Sequence, residues 1–188
     1  MEFFLVLLAL VIIGPYVLAG FSLAPWVPTP ARDLDRIVRI VGARRRAGEF
    51  IEIGSGDGRV LFAVARAYPD MPCRGIEYYF PVWLYSRVRL MFADVPNARV
   101  EWGDFYRRDI SEAGTLFCFG HPDTLREKFR HKLSECRPGT VLISHAFEVE
   151  GWEPIDVDCM TKSLSIRIYE LPGMSDTCRD LKLEPKSV

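Results

Sequence analysis

From Phe3 to Ala24 the chain reads FFLVLLALVIIGPYVLAGFSLA, with no charged position. At about 1.5 Å per residue a helix of that length crosses a hydrocarbon core of about 30 Å, so residues 1–24 are expected to form a single transmembrane helix. A cleaved signal peptide competes with this reading, but Glu2 is the only charged side chain ahead of the run. The run also exceeds the usual signal core of about 7 to 15 residues. Pro25, Pro28 and Pro30 then make an elbow, and Leu34, Ile37, Val38 and Val41 recur at helical spacing. Residues 25–46 therefore read as a Pro-rich elbow and an amphipathic basic helix. Its Arg32, Arg36, Arg39 and Arg44 to Arg46 outweigh Asp33 and Asp35, a bias that holds the following domain in the cytoplasm.

Between residues 47 and 171 apolar runs of strand length alternate with helical patterns. Strands are predicted near 49–53, 73–77, 98–102, 114–119, 140–147, 156–161 and 164–170, with helices near 58–68, 80–93 and 122–136. Such alternation specifies an α/β fold with a doubly wound, Rossmann-like sheet, here of seven strands. The last two strands, joined at Lys162-Ser163, are expected to form a C-terminal β-hairpin. Residues 172–188, with Pro172, Gly173, Pro185 and mixed charges, are expected to be a weakly ordered tail.

Composition narrows the partners. The 188 residues hold 24 basic and 25 acidic side chains, a formal charge of -1, which provides no field for collecting nucleic acid. Cys73, Cys118, Cys136, Cys159 and Cys178 are odd in number and far apart, so neither a metal site nor a disulfide framework is expected.

The segment that carries chemistry is Phe50-Ile51-Glu52-Ile53-Gly54-Ser55-Gly56-Asp57-Gly58-Arg59, a strand running into a glycine-rich turn and then a helix. Glycines allow close backbone approach, and the helix start offers unpaired N–H groups. A dinucleotide fingerprint would place glycine or alanine where Arg59 stands, so NAD and FAD fit poorly. Glu52, two residues before the first glycine, repels a pyrophosphate but suits the cationic amino-acid end of S-adenosylmethionine. Glu77, at the end of the second strand, can accept from both ribose hydroxyls, and Asp104, after the third, can accept from an adenine amino group. Trp102, Tyr78 or Phe105 are the candidates to pack on the ring, although core packing is the ordinary fate of Trp102.

These residues resemble the class I, seven-strand S-adenosylmethionine-dependent methyltransferases. More narrowly, they are similar to the small membrane-anchored group that includes the lysine methyltransferase of the ATP synthase c-subunit and archaeal protein-lysine methyltransferases. The likeness covers about residues 25–170. It rests on Val27-Pro28-Thr29-Pro30, the Glu52–Arg59 loop, Gly75-Ile76-Glu77, Gly103-Asp104-Phe105, Ser144-His145-Ala146-Phe147 and Gly151-Trp152-Glu153-Pro154. It implies that Glu52, Gly54, Gly56 and Gly58 cradle the cofactor, with Glu77 at its ribose and Asp104 at its adenine, and that Thr29 of the elbow, Tyr78 and Phe105 also line the cofactor site. Two stretches depart from the family pattern: Tyr78-Tyr79-Phe80, and Phe117-Cys118-Phe119-Gly120-His121-Pro122.

Methyl transfer needs in-line positioning more than a catalytic triad. His121, after the fourth strand, and His145 are candidates to assist proton loss from a lysine nucleophile. Tyr106, with Trp152, is a candidate to line a lysine channel by cation–π contact. The resemblance implies a protein-lysine acceptor in or near the membrane. A small-molecule or lipid methyltransferase and a non-catalytic cofactor-binding membrane scaffold are the alternatives, whereas a nicotinamide reductase lacks both its glycine spacing and a substrate domain.

Overall fold

The computed structural model describes residues 28–120 and 127–172. The amphipathic stretch forms α1 (Ala31–Arg44), followed by β1 (Glu49–Ile53), α2 (Arg59–Ala67), β2 (Cys73–Glu77), α3 (Phe80–Leu90) and β3 (Ala98–Trp102). A 3-10 turn at Phe105–Arg107 leads to β4 (Ala113–Cys118), α4 (Glu127–Leu133), β5 (Val141–His145), β6 (Asp156–Asp158) and β7 (Ile166–Glu170). The strands form one sheet in the order β3-β2-β1-β4-β5-β7-β6. The first five run parallel, and β7 lies antiparallel to both β5 and β6.

Both faces of the sheet are covered, which is why its central strands read as continuous apolar runs. Alternate residues enter opposite layers. Phe50, Phe117, Val141 and Ile143 pack with Ile37 and Val41 of α1 and with Val60, Leu61 and Val64 of α2. Ile51, Leu116 and Leu142 face the other way, toward Phe129 and Leu133 of α4. The chain reverses its winding between β1 and β4, and their C-terminal ends open the crevice at which such sheets bind ligands.

Several elements are shorter than the sequence pattern predicts. The helix expected over 80–93 ends at Leu90, and the β-strand expected over 140–147 stops at His145, before Ala146 at φ 76°. The terminal hairpin forms, but β6 stops at Asp158 and β7 begins at Ile166. At this end of the hairpin the Arg36 guanidinium donates to the Leu164 carbonyl at 2.8 Å and to the Asp158 carbonyl at 2.5 Å, tying the turn to α1.

Among the described residues no helix is long and apolar enough to cross a membrane. The span expected at residues 1–24 lies outside them, as do His121 and residues 173–188. Several arginines counted toward its orientation have local partners. Arg36 is buried against Asp158, Arg44 pairs with Asp156, Arg45 with Asp70 and Arg46 with Glu170. The free basic excess of residues 25–46 is smaller than the sequence alone indicates.

Candidate functional site

β1 delivers Glu52 to the crevice, and the loop after it turns sharply through Gly54, Gly56 and Gly58 at φ 68°, 55° and 77°. Two of these glycines have distinct reasons. A Cβ on Gly58 would meet the Phe62 ring at 2.6 Å, whereas nothing lies within 4 Å of the same point on Gly54. Gly58 is fixed by packing; Gly54 leaves open space at the crevice, where a ligand can approach the backbone.

Glu52 is buried, and its Oε2 accepts the Leu61 N–H at 2.8 Å, closing one of the free donors in the first turn of α2. Burial pushes its carboxyl well above the usual range; the Leu61 bond opposes this, while the nearby charges of Asp57 and Glu77 add to it. Glu77 is buried too. Its two oxygens accept the Gly56 N–H and the Tyr79 N–H, each at 2.8 Å, so this carboxylate ties the glycine loop to the start of α3. Burial raises its carboxyl, and these backbone bonds restrain the rise. Each carboxylate oxygen has two lone pairs, so Glu77 retains acceptor capacity for a diol.

Asp57 and Arg59 did not register in the sequence as site residues, yet they organise the loop. Asp57 is buried, and the Arg59 guanidinium grips it through Nε at 2.9 Å and Nη2 at 2.7 Å. Arg89 of α3 reaches the same carboxylate at 2.7 Å. Burial works against the Asp57 charge, but the Arg59 hydrogen bonds and the two guanidinium charges outweigh it and lower its carboxyl below the usual value. Arg59 Nη1 also donates to the Thr29 carbonyl at 2.9 Å, which places the buried Thr29 and its elbow against the loop. The available signal was Arg59 itself, an arginine in the position where a dinucleotide loop carries a small residue.

At the next strand end Asp104 caps the 3-10 turn, its Oδ1 accepting the Tyr106 N–H at 3.0 Å. The aromatic candidates separate. Phe105 is buried and packs on Phe129 at 5.8 Å, in the core on the α4 side. Trp102, against the core expectation, is 52% exposed and makes an edge contact with Phe80 at 5.2 Å. Tyr78 is 74% exposed, and its carbonyl accepts Trp102 Nε1–H at 3.0 Å. Tyr78 and Trp102 are therefore the open rings beside Glu77 and Asp104. Tyr106 already has a cation on its face, the Lys128 Nζ at 4.0 Å from the ring centre, and Trp152 packs against Tyr169 at 6.3 Å.

His145 is fully buried at the end of β5, with its Nε2 3.5 Å from Asp33 Oδ2 and its ring 4.6 Å from that of Phe119. Its contacts are those of a residue locking α1 to the sheet. A cavity of about 650 Å³ lies at the other end of the strands, between Arg45, Arg99 and Glu112, and shares no residue with the glycine loop. No cluster able to hold a metal ion occurs among the described residues.

The negative, buried loop with open space at Gly54 fits a cationic nucleoside ligand. Comparisons with known proteins agree. The family model of the ANTKMT methyltransferase domain matches residues 52–156. A protein-lysine N-methyltransferase of Saccharolobus islandicus is 30% identical over 141 residues, 71% of this chain and 83% of that protein. The lysine N-methyltransferase of the ATP synthase c-subunit from Mus musculus is 30% identical over 132 residues, covering 69% of this chain and 51% of its own length. Among solved structures, an RNA methyltransferase from Salinibacter ruber in complex with S-adenosyl-L-homocysteine superimposes with a TM-score of 0.68 at 25% identity, over 86% of this chain and 98% of that one.

Proposed function

Because the chain belongs to the family of the ANTKMT methyltransferase domain, S-adenosylmethionine-dependent enzymes, we propose that it methylates a lysine of a protein in or beside a membrane. The observation that carries the site assignment is the glycine loop between two buried carboxylates, Glu52 and Glu77, at the β1–β4 crevice. The lysine acceptor is supported by the activities named for the archaeal and mouse relatives. The balanced charge of -1 favours a protein over a nucleic-acid acceptor.

When bound, S-adenosylmethionine supplies an electrophilic methyl on a good leaving group. The chain supplies position and charge. Glu52 and Glu77 would stabilise a cation held over the loop, Glu77 and Asp104 would accept from the ribose and adenine sides, and Tyr78 and Trp102 would cover the ring. The lysine amine must arrive unprotonated, so its proton leaves to water or to a side chain before the N–C bond forms. His121, three residues beyond the end of β4, is the side chain we assign to that role.

Membrane attachment is supported by the uncharged run Phe3–Ala24. The connector from Ala24 to Ala31 spans at most roughly 25 Å even when fully extended, at about 3.3 to 3.6 Å per residue, which keeps the crevice near the bilayer. Anchoring raises the effective concentration of membrane acceptors. The orientation proposed, with the catalytic domain on the cytoplasmic side, follows from the basic residues after the run.

The test is a labelled-methyl assay on whole membranes with the acceptor located by mass spectrometry. Label on a lysine of a membrane protein, lost in the Glu77→Ala/Asp104→Ala variant, is the expected result. Label in lipid or in a soluble metabolite overturns the lysine reading.

A further inference from the structure

The face of α3 that looks away from the sheet is apolar and uncovered. At about 100° per residue, Phe80, Leu84, Tyr85 and Val88 fall within an arc of about 140°, and Met91 and Phe92 extend it on the following turn. Met91 is 78% and Phe92 82% exposed, and the other four are exposed as well. An unbroken apolar surface of this kind on a folded domain marks a contact site.

Charge and position identify the occupant. α3 contains no carboxylate; its only charged side chains are Arg87 and Arg89, which stand just outside the two edges of the apolar arc. Apolar and aromatic side chains flanked by a basic residue are the pattern of a helix lying in a lipid interface, its rings and aliphatic groups below the headgroups and a guanidinium, here that of Arg87, at the phosphates, while the Arg89 guanidinium stays bound to Asp57. The face is also continuous with the point where the chain enters the fold. Thr29 is held by Arg59, Arg59 by Asp57, and Asp57 by Arg89, whose guanidinium lies 5.8 Å over the Tyr85 ring. Thr29, five residues after the uncharged run Phe3–Ala24 in the sequence, is thus joined to α3 through this chain of contacts.

From this juxtaposition we propose that the outer face of α3, from Phe80 to Phe92, is a second membrane contact, resting on the surface of an anionic bilayer beside the N-terminal run. It deepens the membrane attachment proposed above and rests on it. α3 starts at the Glu77–Tyr79 corner of the crevice, so a bilayer against its outer face brings the crevice mouth down to the headgroup level and restricts acceptors to lysines presented there.

The experiment uses the full chain reconstituted in phosphatidylcholine–phosphatidylglycerol vesicles. An environment-sensitive fluorescent amino acid replaces Phe92 in one sample and Val157, an exposed residue of β6 at the sheet edge opposite β3, in another. Vesicles with brominated acyl chains should quench the label at position 92 several-fold more than the label at position 157. Sedimentation with the vesicles but equal quenching at both positions overturns the α3 contact and leaves the anchor standing. A label at position 92 that is shielded from aqueous iodide yet unquenched by bromine means that protein covers the face, either the run Phe3–Ala24 folded back or another chain, and also overturns the proposal. A chain that stays in the supernatant overturns membrane attachment and this contact together.

Discussion

Arg59 Nη1 lies 2.9 Å from the carbonyl oxygen of Thr29, joining the first turn after the glycine loop to the elbow that precedes α1. The same guanidinium neutralises the buried Asp57 carboxylate inside the loop. One side chain therefore sets both the loop conformation and the point at which the N-terminal segment meets the domain. The loop cannot shift without moving the elbow.

Replacing Arg59 should show this coupling. Arg59→Ala leaves Asp57 buried with Arg89 alone and frees the Thr29 carbonyl, a loss expected to cost about 1–3 kcal/mol. In a domain of this size that lowers Tm by about 2–4 °C per kcal/mol in a thermal melt. Arg59→Lys should recover little, because an ammonium cannot span the two Asp57 oxygens and the carbonyl at once. A lysine variant that melts with the wild type would show that the fork geometry is irrelevant.

Glu77 is predicted to matter twice over. Its two backbone bonds hold the Gly56 and Tyr79 amides, and its remaining lone pairs face the crevice. Glu77→Gln keeps one acceptor oxygen, so binding of S-adenosylmethionine should weaken by about tenfold; Glu77→Ala removes charge-assisted bonds worth about 1.5–3 kcal/mol, or roughly 10- to 150-fold. Titration calorimetry with S-adenosylhomocysteine orders the three proteins. Equal affinities would remove Glu77 from the binding site.

What the sequence made legible was local. β1, its loop and α2 follow from an apolar run, three glycines and a renewed helical period, all within a short stretch, and the buried carboxylates fall at strand ends because the period-two pattern fixes those ends. The placement of β7 between β5 and β6 was not legible, since strand order is decided by packing between segments distant in the chain. Trp102 misled for a related reason: its residue type favours the core, but β3 is the edge strand, with one neighbour only. Asp57 was hidden because Arg89, one of its two partners, lies in the next helix along the chain. The Lys128 contact on Tyr106 was likewise beyond any spacing rule.

Cofactor binding should release protons. Burial raises both Glu52 and Glu77 above their ordinary 4.5, so each holds a proton over a range of pH in which a free carboxyl would be charged. A bound cation favours the charged form, so binding expels protons in the window from about pH 4.5 up to the raised values. Affinity should climb with pH across that window and level off above it, and Glu52→Gln should flatten part of the climb. Calorimetry in two buffers of different ionisation enthalpy measures the proton count directly; proton uptake on binding would contradict the assignment.

The buried His145 should make the protein sensitive to acid. Burial lowers its imidazole below 6.5; the charge of Arg36 acts in the same direction, while Asp33 opposes both. Asp33 Oδ1 accepts from the Ser163 hydroxyl and lies 3.6 Å from Arg36, whereas Oδ2, which faces the ring, makes no hydrogen bond. With a folded value below the unfolded one, the unfolded chain binds more protons as pH drops through about 6.5, and stability is lost from there down to the lowered folded value. The raised carboxyls of Glu49, Glu52 and Glu77 act in the opposite direction just above 4.5, so the His145 contribution is read as a difference between two proteins. His145→Asn should show a shallower fall in Tm than the wild type between about pH 8 and pH 5.5. A steeper fall in the variant would mean that Asp33 holds a charged imidazole in the folded protein, reversing the sign.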